Sequence, residues 1–565
     1  MSVKTLRNAV AQMVMPRLEG DQLEDPSYRA GIERLVAEGI GGFLLFGGGI
    51  AATPGRLAEL QSNASVPLLI SSDVERGLGQ QLEGGTRFPS QRAVASAVNR
   101  RSKKDQELLA AMLDAVRTET RAAGIHIVFS PVMDVNNNPD NPIICTRAFG
   151  EDPETVEWFG RQYIRRLQKP RSDGTLDLLA CAKHFPGHGD TDQDSHSVLP
   201  VIRADRSRLN RVELPPFREA VKDGVGTVMV AHLLVPALDP VKPVTFSKKA
   251  VTALLREGME FGGLIVSDAL DMGALANEYS QEDIAVRAVE AGMDILLHPV
   301  DARTTIDAVV HAVERGALTE QRIHESVGRI MEAKRRLGLL TPHRPPLARG
   351  EEQGGVLARG EIKGGVLARG DQEAGGLAKR ERPTGGTPKI NYEKHRKIAA
   401  DLSKKALKVI RGDRRKLPFS TAKGAACFIL DDDGQGMGGA FRDAMIARFG
   451  DVRTESLTPD TADAASPHFD AGTANPVVIA IFSKISASKG RSGISPKLRD
   501  AAFAILKQAK AARRPSAVIS FDSPYILDQF KDADVLIAGY DRMDAIQTAA
   551  AELLTGTRDK GRGTR

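Results

Sequence analysis

Cysteine is scarce in this chain. The 565 residues include three, Cys145, Cys181 and Cys427, odd in number and far apart. That excludes a disulfide framework and the paired spacings of zinc and redox motifs. Long apolar runs are missing as well, so no stretch reads as a bilayer span. The start, Met1-Ser2-Val3-Lys4-Thr5-Leu6-Arg7-Asn8, lacks the apolar core of a signal peptide. A reducing cytoplasm is therefore the expected compartment, with no membrane partner. An excess of one charge is also absent. Lys and Arg number 78, Asp and Glu 72, for a formal net charge of +6. The signs are mixed along the chain, which argues against a nucleic-acid stripe and leaves a mildly basic surface.

The chain is too long for one core, so two or more domains are expected. Its first three hundred residues repeat a rhythm, in which a Val/Ile/Leu-rich run ends in polar residues and an amphipathic helical segment follows. The candidate strands are Val10 to Met15, Gly41 to Phe46, Pro67 to Ser71, His126 to Pro131, Leu178 to Ala182, Gly226 to Ala231, Gly263 to Val266 and Asp294 to Leu297. Apolar runs alternating with helices predict parallel strands covered by helices. About eight such units over roughly 300 residues suggest an α/β fold of the TIM (β/α)8 type, with a doubly wound open sheet as the alternative.

Residues 345–388 interrupt this pattern. Leu347-Ala348-Arg349-Gly350 recurs at Leu357 to Gly360 and Leu367 to Gly370, a period of ten. These units carry too little apolar side chain to offset their ordering entropy, and Pro345 to Thr387 reads as a flexible linker. The expected organisation is a barrel over 1–344, the linker over 345–388, and a smaller α/β sandwich-like domain over 389–565. In the last, Tyr392 to Arg411 reads as a helix. Strands are expected at Ala426 to Leu430, Val477 to Phe482, Ala517 to Phe521 and Val535 to Ala538, with helices at Lys497 to Ala512 and Ala545 to Leu554. Asp522 and Ser523 read as turn residues, and the tail from Thr555 as a mobile basic end.

The chemistry concentrates after the strand candidates. Asp73 and Glu75 follow the third, Asp134 and then Arg147 the fourth, Lys183, His184, Asp194 and His196 the fifth, His232 the sixth, and Asp268 the seventh. In a barrel these positions share the carboxyl-end face, where active sites are built. The densest stretch runs from Lys183 to His196, where Pro186, Gly187 and Gly189 stop regular structure and His, Asp and Lys crowd a loop.

Asp268 closes Leu264-Ile265-Val266-Ser267. It could be a nucleophile toward an anomeric carbon or the N-cap of the next helix. Asp271 reads as helix-start polarity. Asp194 and His196 could form a dyad in which the carboxylate fixes the imidazole tautomer and the ring trades protons near neutral pH; the alternative is a surface histidine. His184 and His188 have the i, i+4 spacing of some zinc motifs, but Pro186 and Gly187 deny them the helix it requires.

Together these pieces resemble the family 3 glycoside hydrolases, in their β-N-acetylglucosaminidase branch. The resemblance rests on Gly39-Ile40-Gly41-Gly42-Phe43, Ser130-Pro131-Val132-Met133-Asp134-Val135-Asn136, Arg147-Ala148-Phe149-Gly150-Glu151-Asp152-Pro153, the Lys183 to His196 loop, Ala231-His232 with Pro236-Ala237-Leu238-Asp239, and Ser267-Asp268. It implies a barrel with an α/β domain after it, and retaining hydrolysis of terminal β-linked N-acetylglucosamine without a metal or organic cofactor. It implies Asp268 as nucleophile, His196 as acid/base and Asp194 as its partner. Asp73, Arg147, Lys183 and His184 match the positions that hold the sugar. Muropeptide fragments of peptidoglycan are the expected substrates. A glucoside substrate, transfer to phosphate, or a silent carbohydrate-binding protein on the same frame remain alternatives. Gln81 departs from the resemblance, standing where an Arg often helps bind the sugar.

Overall fold

The structure is a computed structural model and describes residues 3–340, 390–412, 417–420, 424–449, 451–462, 475–484 and 493–556. The predicted linker, with its ten-residue repeats, and the tail beyond 556 lie outside the described residues.

The first sheet is built from β1 (Val14–Met15, continuing past Pro16 as Arg17–Glu19), β2 (Gly42–Phe46), β3 (Leu69–Ser72), β4 (Ile127–Val128), β5 (Leu179–Phe185), β6 (Thr227–Val230), β7 (Leu264–Ser267) and β8 (Leu296–Leu297). Neighbours pair in parallel in that order. Val266 bridges to Ile295 just before β8, and β8 pairs with Val14 and Met15 of β1. The order returns to its start, so the strands form a ring. This is the barrel expected from the rhythm, and the open sheet is set aside. The strands are buried along most of their length, as a ring filled inside and covered outside by helices requires.

The run Val10 to Met15 is corrected. Val10 and Ala11 end the helix Val3–Ala11, and the strand begins at Val14. A short apolar run carries no period that separates a buried helix end from a strand.

The second sheet comprises β9 (Lys408–Gly412), β10 (Ala425–Asp431), β11 (Val452–Leu457), β12 (Val477–Phe482), β13 (Ser516–Ser520) and β14 (Val535–Ala538). Its order is β9-β14-β13-β12-β10-β11, with β9 antiparallel and the other pairs parallel. Two of these strands were not expected. The predicted helix from Tyr392 ends at Ala406, and the chain turns back as β9. Both β9 and β11 are edge strands with exposed polar residues, so a search for apolar runs passes over them.

Helix Tyr392–Ala406 packs against barrel helices Gln91–Ala97 and Lys103–Ala122 and against helix Asp544–Thr555 of the second unit. Lys405 Nζ reaches Asp105 Oδ1 at 2.8 Å. Asp541, buried after β14, accepts the Ser90 N–H at 2.7 Å and Arg76 Nη1 at 3.1 Å. Tyr525 Oη accepts from Asn136 Nδ2 at 3.0 Å and donates to Glu151 at 2.9 Å. Asp522 is buried in this contact region beside Arg542. Burial, reinforced by Asp541, pushes its carboxyl up to about 7 against the pull of Arg542.

Candidate active site

The carboxyl ends of β3, β4 and β5 deliver one buried ionic network. Lys183, on β5, has a side chain that is 2% exposed. Its ammonium donates to Asp73 Oδ1 at 2.7 Å and lies 2.8 Å from Glu75 Oε1. Arg147 grips the same Glu75 with two bonds, Nη2 to Oε1 at 2.8 Å and Nε to Oε2 at 3.1 Å. Burial opposes the charge on Glu75, but Arg147 and Lys183 outweigh it and hold the carboxyl well below its usual range. Lys183 is likewise kept charged by Asp73 and Glu75 despite its burial. Asp73 Oδ2 has no hydrogen-bond partner among the described residues, and its side chain is 28% exposed. That oxygen can accept from a ligand's hydroxyls.

His184 joins the network from the other side. Its Nδ1 is 2.7 Å from Asp134 Oδ2, and its Nε2 is 3.3 Å from Arg147 Nη2. An arginine can only donate, so Nε2 accepts and the proton sits on Nδ1. Asp134 Oδ1 also accepts the backbone N–H groups of His184 and His188, at 3.1 and 2.7 Å. A fully buried carboxylate thus sets both the ring and the turn after β5. Burial raises its pKa, and His184 and His188 with these bonds bring it below the usual range.

Asp268 follows β7 and is partly exposed. Its Oδ1 accepts the Ala269 N–H at 2.9 Å, and Oδ2 has no partner among the described residues. The next helix is Gly273–Ala276, with Met272 at its N-cap position. Asp268 is therefore not a cap, and a free carboxylate oxygen points to reactivity. Burial works against its charge; His184, His232, the Ala269 N–H and Lys183 together leave its pKa lowered. An anionic carboxylate near neutral pH is the state a nucleophile needs. His232, buried after β6, donates Nε2–H to the Ala269 carbonyl at 2.9 Å and braces this turn.

His196 and Asp194 form the expected pair. Nδ1 of His196 is 2.8 Å from Asp194 Oδ1, which also accepts the His196 N–H at 2.9 Å. Asp194 is buried and the His196 side chain is 36% exposed. Its Nε2 has no partner among the described residues and can face a ligand. Backbone bonds tie this loop to the segment after Asp268: Gly273 N donates to His196 O at 3.2 Å and Ala274 N to Ser195 O at 3.3 Å. A Cβ on Gly273 would lie 2.7 Å from that same His196 oxygen. Glycine is what allows the two segments to meet.

The sequence-named residues fall into two groups. Lys183, Asp73, Arg147 and His184 form one hydrogen-bonded network, and Asp194–His196 is fastened beside the Asp268 turn. Asp271 stands apart, 3.4 Å from His298. Glu75, Asp134, His188 and His232 were not singled out as site residues. His188 is buried, with Nε2 3.1 Å from Ser195 Oγ, and burial pushes its pKa down to about 4. It supports the dyad loop from beneath as a neutral ring. The metal-like spacing of His184 and His188 is thereby used otherwise, and the described residues contain no group of three or more His, Cys, Asp or Glu suited to a metal ion. No described helix is long and apolar enough to cross a membrane.

The chain is similar to known proteins. The chain is 31% identical over 303 residues to β-hexosaminidase A of Pseudoalteromonas piscicida, covering 50% of this chain and 49% of that protein. It is 32% identical over 343 residues to a β-N-acetylglucosaminidase/β-glucosidase of Cellulomonas fimi, covering 59% and 58%. The chain thus spans about half the length of these curated relatives. Among solved structures, a family 3 β-N-acetylglucosaminidase from Paenibacillus sp. aligns with a TM-score of 0.76 at 28% identity, over 98% of this chain and 96% of that one. Residues 5–333, more than half of the chain, match the model of the glycosyl hydrolase family 3 N-terminal domain, and the chain belongs to glycosyl hydrolase family 3.

Proposed function

We propose that this protein is a retaining exo-β-N-acetylhexosaminidase that removes terminal β-linked N-acetylglucosamine, with muropeptide fragments of peptidoglycan as its substrates. One observation carries the reading. A carboxylate with one oxygen unpartnered among the described residues, Asp268, precedes the short helix Gly273–Ala276, to whose first residues the loop of the Asp194–His196 dyad is hydrogen-bonded. Asp73 offers its free oxygen to the sugar's hydroxyls. Lys183 has two of its three N–H groups engaged by carboxylates and keeps one donor for a sugar oxygen.

The chemistry follows in two displacements. Asp268 Oδ2 attacks the anomeric carbon while His196, protonated at Nε2, gives its proton to the departing glycosidic oxygen. The glycosyl–Asp268 ester forms and the aglycone leaves. His196, now neutral at Nε2, takes a proton from water, whose oxygen attacks the anomeric carbon and releases the carboxylate. Asp194 holds Nδ1–H throughout and stabilises the imidazolium. With histidine as acid/base, the roughly 5 Å separation of two carboxyls in common retaining enzymes does not apply. The barrel supplies these groups, and the second sheet acts as a packing partner.

The test is hydrolysis of 4-nitrophenyl N-acetyl-β-glucosaminide by wild type and His196→Ala, with and without azide. The activated leaving group needs little acid help, so the variant should form the ester and azide should accelerate its breakdown. Turnover of the glucoside instead would overturn the sugar assignment. Acceleration by inorganic phosphate in place of water would overturn hydrolysis as the reaction.

A further inference from the structure

A second cleft, of about 640 Å³, lies on the opposite side of the barrel from Asp268. It runs between helices Thr53–Asn63 and Lys103–Ala122 and reaches the amino ends of β3, β4 and β5. Its size falls in the range of small-molecule sites. Leu57, Ile70 and Leu339 give it apolar walls. The polar groups are unevenly paired. Asp177 is shared by Arg171, whose Nε donates at 2.7 Å, and by Arg117 Nη1 at 3.4 Å. The Arg121 side chain then has no ion pair or hydrogen bond among the described residues, and its Nη1 is buried. An unpartnered buried guanidinium arm is costly unless something else satisfies it.

His126 supplies a second donor. Its Nδ1 accepts the Ile70 N–H at 3.1 Å, so the ring proton sits on Nε2, which has no partner among the described residues. Burial, with Arg121 and Lys334 adding to it, pushes this histidine down to about 3. It stays neutral and offers an N–H without adding charge.

We propose that this cleft is a second binding site, for a small monocarboxylate with an apolar body. The carboxylate would take one bond from Arg121 and one from His126 Nε2–H, while the apolar part lies against Leu57, Ile70 and Leu339. A monoanion fits better than phosphate. Among the described residues lining the cleft, Arg121 is the cation without an ion pair, and Asp177 stands nearby to repel a second negative charge. Neither the sugar chemistry nor the dyad uses any of these residues.

Calorimetric titration of the full chain with hexanoate, hexanamide and inorganic phosphate tests the assignment. A charge-assisted bond to Arg121 is worth enough to make hexanoate about tenfold or more tighter than the amide. Arg121→Gln should abolish that preference and Arg121→Lys should keep part of it. Equal binding of acid and amide, binding of phosphate as tight as hexanoate, or hexanoate binding unchanged in Arg121→Gln would each overturn the proposal. The comparison of ligands on wild type holds even where a variant fails to fold.

Discussion

Glu75→Gln should cost the barrel about 3–5 kcal/mol, the usual penalty for removing one partner from a buried charge cluster. The structure sets that scale. Glu75 is buried and carries a two-bond grip from Arg147 together with the Lys183 ammonium. Charge-assisted bonds of this kind contribute roughly 1.5–3 kcal/mol each. The amide keeps the shape of the side chain but replaces one acceptor with a donor that faces other donors. The amide oxygen can still accept at the Oε1 position, but Arg147 Nε then faces an amide N–H, and Lys183 keeps Asp73 as its only anionic partner among the described residues. The chain's single tryptophan, Trp158, lies in barrel helix Pro153–Leu167. Its fluorescence during urea unfolding reports the barrel directly. The pH dependence supplies a second check. The folded pKa of Glu75 is lowered, so its stabilisation is fully present above the unfolded value of about 4.3 and is lost as pH falls through the folded one. The gap between wild type and variant should therefore narrow below about pH 4.3. A loss under about 1 kcal/mol at pH 7, the scale of an exposed pair, or a gap that does not narrow in acid would refute the account of this network.

Other outcomes follow from the same geometry. Gly273→Ala places a methyl 2.7 Å from the His196 carbonyl; the dyad loop must shift, and kcat should fall about 10²-fold with little change in the urea midpoint. Asp194→Asn leaves the ring without its anionic partner and should lower kcat by about 10²–10⁴-fold, the deficit shrinking as the leaving group becomes more acidic. Asp541→Asn removes the buried charge that accepts from Arg76 and Ser90. It should destabilise the chain by about 1–3 kcal/mol with kcat unchanged, and a selective loss of kcat would show that the second sheet takes part in the chemistry.

The barrel was legible because most of its strands are buried on both faces, which leaves continuous apolar runs such as Gly42–Phe46 and Leu264–Ser267. The edge strands Lys408–Gly412 and Val452–Leu457 were not, since strands half in water need no such run. The residues carrying the candidate chemistry stood out by position, each just past a strand. Their partners did not. Glu75 and Asp134 were visible only as polar residues after strands, although Lys183 and Arg147 in a buried mouth required carboxylates to face them. Whether Asp268 caps a helix could be decided only once the next helix was seen to begin at Gly273, with its N-cap at Met272. His188 looked like half of a metal motif until its ring was found beneath Ser195.

The covalent role of Asp268 is the centre of the account. If the proposed mechanism holds, His196→Ala slows the second displacement, and the ester should accumulate during turnover of 4-nitrophenyl N-acetyl-β-glucosaminide. Acid quenching, digestion and mass analysis of the peptides would locate it. The account predicts one N-acetylhexosaminyl residue on the peptide containing Asp268, absent in the double variant with Asp268→Ala. A label on another carboxylate, or turnover that survives Asp268→Ala in the wild-type background, would contradict it.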